Sequence, residues 1–185
     1  IGEGSSRGML HFEEVTKRAS AAAREHLAAA GSAVQFDDPV NIQFSSATGE
    51  HPAGATLTHH NILNNGFSIG RTLRLDESDR VCIPVPLFHC FGMVMGNMAC
   101  LAHGATMIYP ADAFDPGATL AAIGEERCTA CYGVPAMFIA MLEHEDFAAT
   151  DVSSLRTGVM AGAPCPIETM RQVVRDMNMH EVTIA

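Results

Sequence analysis

The chain has 185 residues, 48% of them hydrophobic, and a mean hydropathy of +0.13, which suits a folded α/β protein rather than a disordered one. Its formal charge is −10, from 21 acidic against 11 basic residues, so no basic stripe is present for a nucleic-acid backbone or an anionic membrane surface. The most apolar stretch, Cys90 to Ala102, is too short to cross a bilayer, and the first ten residues lack a basic head with an apolar core. Neither a transmembrane segment nor a signal peptide is therefore predicted, and a cytoplasmic location is expected.

Residues 1–38 read as a peripheral N-terminal segment, with a flexible start and one Ala-rich helix over Phe12 to Ala30. Asp37-Asp38-Pro39 punctuates the chain. Residues 39–79 then supply the strand Val40 to Phe44, a loop over Ser45 to Gly54, and a helix capped by Thr58 that runs to about Leu73. Residues 80–185 form a second α/β subdomain. Its expected strands are Val81 to Val85, Ala105 to Tyr109, Thr129 to Tyr132, Leu155 to Ala161 and Val182 to Ala185. Its helices are a Met-rich one near Phe91 to Leu101, one opened by Asp115-Pro116, one from Pro135 to about Leu142, and one from Pro166 to about Asn178. Such alternation calls for a mostly parallel sheet covered by helices on both faces. The sequence stops within the last strand, which reads as a truncation.

Six cysteines lie in apolar segments without secretory context, and buried reduced thiols are expected. Cys128-Thr-Ala-Cys131 has the spacing of a metal or redox pair. It falls on a predicted strand, however, where residues three apart point to opposite faces, and no second pair follows. No metal site is assigned.

The strongest chemical signal is Asn41-Ile-Gln-Phe-Ser-Ser-Ala-Thr-Gly-Glu-His-Pro-Ala-Gly-Ala-Thr-Leu-Thr-His59. A loop rich in Ser, Thr and Gly after a buried strand can turn backbone N–H groups and hydroxyls toward a phosphate. Polar turns after strands are common, so the loop alone does not decide the matter. Three further stretches stand in order behind it: Ile83-Pro-Val-Pro-Leu-Phe-His-Cys-Phe-Gly-Met93, Tyr132-Gly-Val-Pro-Ala-Met-Phe138 and Met160-Ala-Gly-Ala-Pro164.

Together these stretches resemble the adenylate-forming superfamily of acyl-CoA synthetases, aryl-CoA ligases and luciferases, with bacterial fatty-acyl-CoA ligases the nearest group. The family loop reads Thr-Ser-Gly-Thr-Thr-Gly-x-Pro-Lys-Gly. The resemblance implies an ATP phosphate loop at Ser45, Ser46, Ala47, Thr48, Gly49, Glu50 and Gly54. It implies an adenine wall at Ala161, Gly162, Ala163 and Pro164, and an acyl pocket at His89, Gly92, Met93, Gly133, Val134 and Phe138. ATP with Mg²⁺, CoA as co-substrate and an aliphatic fatty acid are the implied ligands. The family's Tyr-Gly-x-Thr-Glu motif, its ribose-binding Asp and its catalytic Lys would lie beyond Ala185, so no catalytic residue is assigned. A fragment of an ATP-dependent fatty-acid–CoA ligase, inactive without the remainder of its parent chain, is the function expected.

The loop also departs from the family. Ala47 and Glu50 fall on glycine positions, and Ala53 stands where the Lys belongs; a lost Lys removes a charge-assisted phosphate contact. An acyl-binding module with a degenerate phosphate loop, or a plain α/β interaction domain, therefore stays open. Residue by residue, blander roles also stay open: a satisfied core histidine for His89, plain core for the methionines, and ordinary strand-to-helix turns at Gly133-Val-Pro135 and Ala161-Gly-Ala-Pro164.

Overall fold

The computed structural model describes residues 8–44 and 52–185. The chain divides into two compact units, Ile1–Asp38 and Pro39–Ala185. In the first unit, helix α1 (Phe12–Lys17) is followed by helix α2 (Ala21–Ala33), and neither buries a residue. The single helix expected over Phe12 to Ala30 is thus broken. Ser20 adopts an extended conformation and its hydroxyl accepts the Ala23 N–H at 3.1 Å, so the chain starts a second helix there instead of continuing the first.

The second unit opens with an antiparallel pair, β1 (Pro39–Phe44) and β2 (Gly54–Thr58), in which Phe44 stands opposite Gly54 and Ile42 opposite Thr56. Strand β2 is an addition to the sequence reading, which passes from a loop ending at Gly54 to the helix capped by Thr58. The β-branched Thr56 and Thr58 favour the pleated conformation, and the helix waits for its cap. That cap is Thr58, whose hydroxyl accepts the Asn61 N–H while the Asn61 side chain accepts the Thr58 N–H, a reciprocal box that starts α3 (His59–Thr72).

Five parallel strands follow: β3 (Arg80–Cys82), β4 (Thr106–Ile108), β5 (Ala130–Gly133), β6 (Thr157–Met160) and β7 (Glu181–Ile184), in the spatial order β4-β3-β5-β6-β7. The β3–β4 connection is the Met-rich segment. Over Phe91–Met98 it is wound as a π-helix rather than an α-helix, and it continues into α4 (Ala99–His103). Helices α5 (Pro116–Glu125), α6 (Pro135–Leu142) and α7 (Ile167–Asp176) make the remaining crossovers. Asp115 caps α5, its carboxylate accepting the Ala118 N–H at 2.7 Å with Pro116 at the first helical position.

Period-two alternation sorts the strand residues onto two cores. Val81, Ile83, Ala130, Tyr132, Val159 and Ala161 pack with Leu73, Phe91, Ala99 and Cys100 on the side of the π-helix. Cys82, Cys131 and Met160 pack with Leu120, Ile123, Phe138, Met141 and Val173 on the side of α5, α6 and α7. The sheet is covered on both faces, as the alternating sequence requires. Among the described residues no helix is long and apolar enough to cross a membrane.

Cys128 shares that second core with Cys131, against the expectation of opposite faces. Strand parity does not reach Cys128, which lies before β5 in a turn where Arg127 takes a φ of 50° and the Cys128 N–H donates to the Ile123 carbonyl. A hydrogen bond with Cys82 and burial together push the Cys128 thiol up, and burial pushes Cys100 up to about 12. Such thiols are neutral and inert at physiological pH. In the native protein a maleimide probe should therefore modify Cys90 and Cys165 and spare Cys82, Cys100, Cys128 and Cys131 until denaturant is added; mass spectrometry of the labelled peptides checks this.

At the amino edge of the sheet the buried Asp79 joins the strand starts. Its carboxylate accepts the Arg156 guanidinium at 2.7 Å, the Thr129 hydroxyl at 2.6 Å and the Asp76 N–H at 2.9 Å. Arg156 also donates to the carbonyls of Leu73 and Arg74 at the end of α3. Removing Arg156 leaves a buried carboxylate short of its countercharge, so Arg156→Met should cost about 3 kcal/mol in urea unfolding. Asp79→Asn, which keeps the shape and drops the charge, should cost less.

Candidate functional site at the carboxyl edge of the sheet

From β3 the chain moves outward to β4, then returns past β3 to β5 and onward to β6 and β7. The direction of winding reverses between β3 and β5, and in open parallel sheets the carboxyl ends of the strands at such a reversal form a ligand crevice. All three stretches singled out behind the loop leave the sheet at this edge: residues 83–93 after β3, 132–138 at the end of β5, and 160–164 at the end of β6.

The segment after β3 is shaped by its prolines. Pro84 and Pro86 bring no N–H to a ladder, so β3 ends at Cys82 rather than at Val85 as expected. The chain then turns, with the His89 N–H donating to the Pro86 carbonyl at 3.2 Å. The His89 ring Nδ1 accepts the Phe91 N–H at 3.1 Å, satisfying one amide at the mouth of the π-helix. Because Nδ1 accepts, the ring proton sits on Nε2, and His89 is exposed. Gly92 is buried against the Val85–Pro86 backbone, where a Cβ would meet the Pro86 carbonyl oxygen.

A cavity of about 520 Å³ opens at the same edge. Ile83 to Phe88 line one side, Tyr109 and Ala111 to Phe114 the other, and Met137 closes it from α6. Its wall is apolar apart from the Asp112 carboxylate and the Tyr109 hydroxyl, which donates to the Asn97 side chain at 3.0 Å. Burial raises the Tyr109 pKa, so the phenol stays a donor. Between the sheet and the π-helix, Tyr132 stacks on Phe91 with centroids 5.8 Å apart. Its buried hydroxyl has no hydrogen-bond partner among the described residues.

The residues read from the sequence do not line one cavity. Ser45, Ser46, Ala47, Thr48, Gly49 and Glu50 lie outside the described residues; Gly54 begins β2. Met93 faces a separate space between β1, α3 and the π-helix. Gly133 ends β5, and Phe138 is fully buried beneath it in the core of α5 to α7, on the other face of the sheet from Phe91. One helical position earlier, Met137 points into the large cavity. Ala161 is buried, whereas Gly162, Ala163 and Pro164 are exposed. Gly162 has a φ of 83°, and a Cβ there would stand 3.1 Å from the Val134 side chain, so the ends of β5 and β6 meet at this point. The loop Tyr109 to Phe114 carries no motif that sequence reasoning could find. Its signal is positional: it follows a predicted strand at the edge shared by the other motifs. Among the described residues no three His, Cys, Asp or Glu side chains converge to hold a metal ion.

A doubly wound parallel sheet with helices on both faces and an apolar crevice at its carboxyl edge places the chain in the open-sheet α/β class. The family itself follows from comparison: the model of the AMP-binding enzyme family matches residues 4–184, and the chain belongs to that family. It is 44% identical over 185 residues to YngI of Bacillus subtilis (strain 168), which carries an acyl-CoA synthetase name, with all of this chain and 34% of that protein covered. It is 47% identical over 150 residues to a mitochondrial medium-chain acyl-CoA ligase of Danio rerio, covering 80% of this chain and 25% of that protein. Among solved structures, the anthranilate CoA ligase AuaEII in complex with anthranoyl-AMP superposes with a TM-score of 0.79 at 25% identity, covering 100% of this chain and 35% of that one. The chain thus spans about a quarter to a third of the proteins it matches.

Gly162→Ala should be destabilising by about 1–2 kcal/mol, because an L-residue must take the left-handed conformation there and press on Val134. Thermal unfolding of the variant beside Ala163→Gly, which makes no such demand, checks it.

Proposed function

We propose that this chain carries the acid- and nucleotide-binding face of an ATP-dependent fatty-acid–CoA ligase. The observation that carries the reading is the arrival of residues 83–93, 132–138 and 160–164 at one carboxyl edge, within a chain of the AMP-binding enzyme family. The reaction is acyl activation. A carboxylate oxygen attacks the α-phosphorus of ATP and pyrophosphate leaves; the CoA sulfur then attacks the acyl carbonyl and AMP leaves.

In this reading the adenine lies on Ala161 to Pro164, where the bare Gly162 backbone permits close approach of a flat ring. The triphosphate lies along Ser45, Ser46, Thr48 and Gly49. His89 offers its Nε2–H to the acid, with Gly92, Gly133 and Val134 nearby along the edge; Met93 contributes from the separate space beside α3, and Met137 rather than Phe138 faces the edge cavity. Mg²⁺ would arrive on the triphosphate and neutralise its charge; with no ligand set among the described residues, no step is derived through it. Lys17, the one lysine in the sequence, stands in the N-terminal unit, and no Tyr-Gly-x-Thr-Glu segment occurs in residues 1–185. The chain alone should therefore bind without turnover.

Ala53, at the family's lysine position, favours a second reading, an acyl-binding module that does not use ATP. Titration calorimetry of this chain with decanoic acid and with ATP separates them. A hydrogen bond to a charged group contributes roughly 1.5–3 kcal/mol, so in the ligase reading the triple change Ala47→Gly, Glu50→Gly, Ala53→Lys should tighten ATP by about ten- to a hundred-fold. Decanoic acid binding without ATP binding, even in the triple variant, selects the module. Failure of both ligands sinks both readings.

A further inference from the structure

We infer that Ile62 partitions an acyl channel between α3 and the π-helix, and so sets the length of the aliphatic chain that is accepted. The inference rests on the acyl-ligase reading above. Two cavities lie along this seam. One, of about 240 Å³, is bounded by Asn61 and Asn65 of α3 and by Cys90, Val94 and Met95 of the facing segment. The other, of about 290 Å³, is bounded by Val40 and Asn41 of β1, by His59 and Leu63 of α3, and by Met93 and Met98 of the π-helix. Ile62 lines both, and it is only 8% exposed.

The two spaces differ in what they adjoin. The first holds two side-chain amides and adjoins His89 through Cys90, which suits a carboxylate or its thioester. The second has Asn41 and His59 on its wall but presents Val40, Leu63 and the thioethers of Met93 and Met98 beside them, and thioethers adapt to an alkyl tail of varied length. Helix winding explains the arrangement: the π-turns direct Val94 and Met95 to one space and Met93 and Met98 to the other. An acid whose head lies beside His89 runs its tail against the Ile62 side chain before the tail reaches Met93 and Met98. Truncating Ile62 to Ala removes three carbons from the partition and joins the spaces.

The test is calorimetric titration of saturated acids of six to fourteen carbons into the wild-type chain and the Ile62→Ala, Ile62→Val and Leu63→Trp variants. Ile62→Ala should move the tightest-binding acid to a longer chain, gaining about four-fold in affinity for each further methylene buried. Ile62→Val should shift the profile in the same direction by less. Leu63 is 52% exposed, so Leu63→Trp can fill the tail space without disturbing the core; it should weaken long acids several-fold and leave short ones unchanged. Should Ile62→Ala fail to fold by circular dichroism, the other two variants decide by the same criteria. Parallel chain-length profiles in every folded variant overturn the partition and leave the acyl reading standing. A wild-type chain that binds no acid overturns the acyl reading, and this inference with it.

Discussion

The Asp79 carboxylate is the point from which the rest of the sheet is set. Strands of three or four residues, each rising about 3.3 Å per residue, cannot correct a displaced start before they reach the crevice. Asp79 fixes those starts together. Its carbonyl accepts the Thr106 N–H at 2.8 Å and so places β4. Its carboxylate takes the Thr129 hydroxyl, which itself accepts the Arg80 N–H at 3.0 Å, and so ties β5 to β3. Arg156, bound to the same carboxylate, heads β6 and reaches Glu181 of β7 at 3.5 Å. One buried ion with three donors is an expensive way to join strands unless every partner is present, and here each is.

The same logic explains why this region is hard to read from sequence. The strand and helix order is legible because hydrophobic alternation, Thr58, Asp115 and the helix-starting prolines are local signals. Asp79 and Arg156 are 77 residues apart and look like ordinary surface charges until the sheet brings them together. The β2 strand is hidden for another reason: Thr58 serves both as strand end and helix cap, and the cap signal masks the pleat before it. The broken N-terminal helix shows the converse, since Ser20 is a cap inside an Ala-rich run whose composition favours continuity.

For the site, motifs locate the edge but not the direction of side chains. Residues 83–93, 132–138 and 160–164 do leave the sheet together. Yet within Met137-Phe138 a single helical step, about 100° of rotation, decides between the crevice and the opposite core, and composition does not resolve one step. Cys128 fails in a similar way: strand parity cannot be carried across a turn whose φ is positive. The apolar cavity wall at Tyr109 to Phe114 escapes notice because it has no motif, only a place in the topology.

The two edges of the sheet are built on opposite principles. At the amino edge the buried polar groups are saturated: carboxylate, hydroxyl, guanidinium and strand-end amides all have partners. At the carboxyl edge Phe88 is 85% exposed, Gly162 holds a left-handed conformation, and the His89 ring spends one nitrogen on the π-helix while its other faces outward. The hydroxyl of Tyr132, in the core between the sheet and the π-helix, is buried without a partner among the described residues, a cost of about 1–3 kcal/mol that phenylalanine would avoid. Backbone strain does not separate the two edges, since Arg74, Arg127 and Asn178 hold positive φ ahead of β3, β5 and β7; what separates them is that the buried polar groups of the amino edge are paired. The rigid edge is what allows the other to stay unsatisfied: with strand starts fixed by Asp79, the crevice keeps its shape without internal polar contacts across it.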